Sequence, residues 1–79
     1  MITSYVDQAL RRARYAQMDG GLFCATVPRL QGVIATGRTL ESCRDQLAEI
    51  VEEWVLVRIA RGLRVPPLGR IKVEVKKAS

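Results

Sequence analysis

The sequence predicts an α+β fold in the order α-β-β-β-α-β, a mostly antiparallel sheet with one long helix across a face. Three observations carry this. Residues 40 to about 55 are strictly amphipathic at helical spacing behind a threonine that can cap them. Asp19-Gly20-Gly21 stands between two short runs of strand character, where a tight turn needs residues that tolerate positive φ. Residues 70–76 alternate, with Ile71, Val73 and Val75 to one side and Arg70, Lys72, Glu74 and Lys76 to the other, the pattern of a half-buried strand.

The elements follow in order. A first helix is expected over 3–12, capped by Thr3 or Ser4, with Asp7 in its first turn. Tyr5, Val6, Ala9, Leu10 and Ala13 share its apolar face. Arg11, Arg12 and Arg14 near its end suit the helix dipole. Strands are expected over 14–18 and 22–27. In the second, Leu22, Cys24 and Thr26 face one way and Phe23, Ala25 and Val27 the other. Both sets are largely apolar, so a central strand at least partly covered on both faces is expected. Pro28 ends it, because proline cannot donate to a ladder. Leu30-Gln31-Gly32 is a short link, and Val33 to Thr36 form a third strand ended by Gly37.

Thr39 is the expected N-cap of the long helix, with Glu41 in its first turn. Leu40, Cys43, Leu47, Ile50, Val51 and Trp54 form one stripe, expected to pack on the sheet. Glu41, Asp45, Glu49, Glu52 and Glu53 fall on the opposite, wet side. Past Val55 the pattern changes: Leu56, Ile59 and Ala60 occupy what had been the acidic side. Large apolar residues there imply cover by another surface, either the first helix or a second subunit. Leu56, Ile59 and Ala60 are therefore the candidate oligomer contact. Gly62 stops the helix, and Pro66 and Pro67 forbid more of it.

With 79 residues, positions 1–79 form one small domain. A chain this short buries a smaller share of its surface than a larger domain does, so self-association into a dimer or tetramer is expected. No apolar run reaches membrane-spanning length and no signal peptide is visible, so the expectation is a cytoplasmic protein without a membrane. The net charge of +5 opens a nucleic-acid reading, with Arg11, Arg12 and Arg14 as the candidate contacts. Tyr15, beside Arg14, is the one candidate for stacking on a base, although strand packing accounts for it better.

Chemistry has little to work with. There is no histidine to serve as a base. The acids of the long helix lie on its wet side, Asp19 is a turn former, and Glu74 stands among lysines. None has the buried setting that tunes an acid or base. Cys24 and Cys43 are too few to bind a metal and are expected to be small buried thiols. No catalytic, metal or cofactor site is expected, and the chain is read as a non-enzyme.

From Tyr15 to Trp54 the sequence resembles the HicB family of type II antitoxins. The matching features run in order: Tyr15 in the first strand, the hairpin Asp19-Gly20-Gly21, and a strand ending in Val27-Pro28. Leu30-Gln31-Gly32 stands where members carry a Pro-Gly-Cys-like element. Ala35, Gly37 and Thr39-Leu40-Glu41-Ser42-Cys43 follow, the last close to a Thr-Leu-Glu-Glu-Ala pattern. Trp54 and Val65-Pro66 match positions near the helix end and in the tail. The resemblance implies a partial RNase-H-like fold without nuclease activity, in a bacterial protein that oligomerises. It also implies a partner, a HicA-type mRNA interferase toxin with a double-stranded-RNA-binding-like fold, whose active site the antitoxin covers. Many members add a C-terminal DNA-binding domain; the chain ends at Ser79 without room for one, so direct operator binding is not expected. The acids Glu41, Asp45, Glu49, Glu52 and Glu53 become the candidate face for docking the toxin. Two other classes stay open: a small basic nucleic-acid-binding protein, and a structural homo-oligomer without a toxin.

Overall fold

A computed structural model describes residues 2–68. It shows helix α1 (Ile2–Arg12), strands β1 (Arg14–Gln17), β2 (Phe23–Thr26) and β3 (Ile34–Gly37), and helix α2 (Leu40–Ala60). The strands form one antiparallel sheet in the order β1-β2-β3. The strand expected over 70–76 lies outside the described residues.

Helix α1 begins at Ile2, so Thr3 and Ser4 are helical residues rather than caps, and no acid sits in its first turn. Arg11 and Arg12 occupy its last turn, while Arg14 opens β1. Its expected apolar face holds: Tyr5 and Ala9 are buried, and Val6, Leu10 and Ala13 pack against the core.

Strand register fixes the two sheet faces. Ala25 pairs with Tyr15 on one side and Ala35 on the other; Phe23 pairs with Gln17 and Gly37. Phe23, Ala25 and Val27 lie toward the core. The alternate residues do not. Met18, Leu22 and Ile34 are exposed and Cys24 is half-buried, so among the described residues the second face of β2 is covered only in part. The reason is the placement of α1. It packs chiefly on α2 rather than on the far side of the sheet.

Helix α2 is held at both ends. Thr39 Oγ1 accepts from the Ser42 N–H at 3.0 Å, and Ser42 Oγ accepts from the Thr39 N–H at 3.2 Å, a reciprocal capping box. At the other end the Gly62 N–H donates to the Ile59 carbonyl at 3.0 Å and the Leu63 N–H to the Arg58 carbonyl at 2.8 Å. With Gly62 at φ 69° this is a Schellman stop.

The buried row of α2 is Cys43, Leu47, Val51 and Val55. It differs from the stripe expected from sequence. Leu40 is half exposed because it opens the helix beyond the edge of the sheet contact. Ile50 and Trp54 flank the core rather than fill it, and Ile59 continues the i+4 row into the partly buried layer. A row at i, i+4 turns slowly around a helix, and α1 supplies the cover that the sheet cannot as it turns.

Gly37 permits the seat of α2 on the sheet. A Cβ there would stand 2.5 Å from the Cys43 amide nitrogen, 2.6 Å from Ser42 Oγ and 2.8 Å from Cys43 Cα. Two of those atoms are backbone and cannot swing aside. From sequence this glycine reads as turn geometry; its role is close approach of helix to strand. Cys43, directly above, points its thiol at the Ala35 carbonyl at 3.7 Å. Burial pushes that thiol's pKa up, with Cys24 adding to the effect, so Cys43 is a protonated packing group. Cys24, half-buried on the second face of β2, departs from the expectation of two buried thiols.

The segment after α2 returns to α1. Val65 and Leu68 are buried, and the Tyr5 hydroxyl donates to the Pro66 carbonyl. Burial raises the Tyr5 pKa, partly offset by the nearby Arg58 charge.

Two outcomes are expected. Gly37→Ala forces α2 off its seat and costs about 2 kcal/mol, read as a fall in melting temperature of roughly 10 °C. Tyr5→Phe leaves the Pro66 carbonyl without its donor and costs about 1 kcal/mol near neutral pH. Because the folded pKa of Tyr5 is raised, its contribution is complete below the ordinary value of 10.0 and is lost as pH rises through the folded pKa. Denaturant titrations should therefore show a smaller loss of stability above that pH in Tyr5→Phe than in the wild type.

Candidate functional site

Among the described residues the only polar atoms on fully buried side chains are the Tyr5 hydroxyl and the Cys43 thiol, both facing backbone carbonyls. No group of three His, Cys, Asp or Glu side chains converges on a possible metal position among them either. Whatever this domain recognises, it meets on its surface, and three surfaces stand out.

The first is the wet side of α2. Glu41, Asp45, Glu49, Glu52 and Glu53 are all exposed on the one helix, as their spacing predicts. Glu41, Asp45, Glu49 and Glu53 form an unbroken i, i+4 row, so each carboxylate stands one turn from the next. Like charges at that spacing mildly oppose the helix they sit on. The capping box, the Schellman stop and the buried row hold α2 helical against this. The result is a rigid line of negative charge facing solvent.

The second surface is the C-terminal half of α2. Leu56, Val57 and Leu63 are exposed large apolar residues, and Ala60 is exposed beside them. Ile59, grouped with Leu56 and Ala60 by the sequence, instead packs against the core. The Arg58 guanidinium carbon sits 4.7 Å from the centre of the Trp54 ring, a cation–π contact. Its Nε donates to the Arg64 carbonyl at 2.7 Å, which ties the helix end to the following segment. Trp54, Val57, Arg58 and Leu63 line an open cleft of about 340 Å³.

The third surface is basic. Of the three arginines singled out by sequence, Arg12 and Arg14 line one cleft of about 480 Å³, while Arg11 does not. Arg29 joins them, from the turn after β2. Sequence reasoning missed it. The available signal was Pro28-Arg29: a proline that opens a turn places its successor where left-handed backbone is common. Tyr15 is 37% exposed on β1 and is not among the residues lining the cleft.

The described residues contain no helix long and apolar enough to cross a membrane. No curated protein matches the chain. Its fold is close to the crystal structure of TTHA0281 from Thermus thermophilus, with a TM-score of 0.87 and 36% sequence identity. That match covers 95% of this chain and 94% of the other. The family model described as UPF0150-like matches residues 4–66, which takes in most of α1, the sheet, α2 and the return segment as far as Pro66. This chain belongs to the UPF0150-like family.

Proposed function

We propose that this chain is a HicB-like antitoxin. It binds a HicA-type mRNA interferase and neutralises it by covering the toxin's active site, with no catalysis of its own. Membership of the UPF0150-like family, which is of HicB-like antitoxin type, supports the class. The observation that carries the mechanism is the exposed carboxylate row on α2. An interferase must hold RNA phosphates, so its working surface is positively charged. A rigid line of carboxylates complements such a surface and steers encounter with it. Occlusion needs shape and charge rather than a tuned acid, which agrees with acids that all lie in solvent among the described residues. The two free cysteines fit a reducing, cytoplasmic setting.

The functional unit in this reading is a homo-oligomer joined through Leu56, Val57 and Leu63. Exposed apolar residues grouped at one helix end are the feature that supports it. A domain this small gains stability by covering them.

The docking face is tested with the double variant Glu49→Lys/Glu52→Lys, co-expressed with a small HicA-type protein from the neighbouring reading frame. Binding should weaken by about tenfold or more, and rescue of growth should fail, with little change in the thermal melt. Unchanged binding would reduce the row to a solvated face. Leu56→Glu together with Val57→Glu should shift the protein to monomer in sedimentation velocity. If the double variant sediments as the wild type does, self-association uses another surface.

A further inference from the structure

Two turns follow one another between β2 and β3. In the first the Leu30 N–H donates to the Val27 carbonyl at 3.1 Å; in the second the Val33 N–H donates to the Leu30 carbonyl at 3.3 Å. Each places its third residue in the left-handed region, Arg29 at φ 77° and Gly32 at φ 84°. Gly32 adopts that backbone freely. Arg29 does not, and it is the one non-glycine residue at positive φ among those described. With Pro28 in second place the first turn is of type II, whose third place favours glycine or asparagine. The chain uses glycine in one turn and accepts strain in the other. Strain of this kind concentrates where a side chain has work to perform.

The side chain of Arg29 explains the exception. It lines the cleft of about 480 Å³ with Arg12 from the end of α1 and Arg14 from the start of β1. Pro28, Pro67 and Leu68 supply the rest of its described wall. The α1–β1 junction and the turn after β2, distant in sequence, thus bring three arginines to one concavity, and no carboxylate is among its described lining residues. Like charges gathered this way raise the local potential and concentrate anions. Guanidinium groups hold their charge at any accessible pH, and their forked donors match phosphate oxygens in pairs. The size lies in the range of small-ligand sites, larger than a bare phosphate needs. The proline and leucine walls give the non-phosphate part of a ligand an apolar surface.

We propose that this cleft is a nucleotide-phosphate site, gripped by Arg12, Arg14 and Arg29. A single-stranded RNA and a free nucleotide present the same phosphate chemistry and are its two sources. The site is separate from the carboxylate row of α2, so it works alongside any protein partner docked there.

Fluorescence anisotropy of the whole chain with a labelled single-stranded RNA, across a salt series, tests it. Three phosphate contacts predict that log K falls against log salt with a slope of about −2, and that each arginine removed from the cleft lowers the slope by about 0.7. Arg12→Gln and Arg14→Gln should each weaken binding severalfold. Arg29→Gly is the decisive variant, because glycine suits the turn: binding falls while the melting temperature holds or rises. Arg38→Gln, at an arginine that does not line the cleft, should bind as the wild type does. Adenosine monophosphate is added as competitor; displacement identifies a site for single nucleotides, and resistance identifies a site for a strand. The proposal is overturned if the wild type does not bind, if Arg29→Gly binds as well as the wild type, or if oligoglutamate of equal charge competes as well as RNA.

Discussion

The structure depends on how closely α2 can lie on the sheet. The strands present small residues at the contact: Ala25 beside Ala35, and Gly37 where the helix begins. Side chains on α2 therefore meet backbone as much as side chain. The Cys43 thiol reaches the Ala35 carbonyl, and the space a Cβ on Gly37 would take is filled by the first turn of the helix. Close packing of this sort tolerates little added volume. It also fixes the axial position of α2, and with it the direction of every side chain on the helix.

Most else follows from that seat. With Cys43, Leu47, Val51 and Val55 turned to the core, the carboxylate row must face water. Helix α2 packs on both the sheet and α1. Val65 and Leu68 then join the same core, and the segment that carries them is tied to α1 through the Tyr5 hydroxyl. Charge is segregated as a consequence. The acids of α2 are concentrated along one rigid helix. The arginines of the cleft gather where the end of α1, the start of β1 and the turn after β2 come together. One small basic domain can in this way offer surfaces of opposite sign, suited to different partners.

Much of this is legible in the sequence, though unevenly. The hairpin glycines, the proline after β2 and the Thr39 cap are local signals, and each places an element boundary within about a residue or two of its position. The partner of each face is not a local property. Leu40 and Ile59 are misplaced by the sequence pattern because a helical wheel records direction and not what lies in that direction. The apolar residues on the far face of β2 imply at least partial cover, but how much each side chain has is decided by where α1 packs. Gly37 reads as turn geometry because a sequence does not state how near two backbones come.

By itself, then, the sequence determined the α+β class, the order of the described elements, the capped amphipathic helix and its acidic side. These rest on residue-by-residue preferences and on spacing along a single element. Only the tertiary structure decided that Ile59 turns inward while Leu56 stays in solvent. It alone brought Arg29 to Arg12 and Arg14, across a turn whose backbone strain has meaning only beside its glycine counterpart. A convergence of distant segments is set by packing, and packing is the sum of many weak contacts that no single stretch of chain encodes.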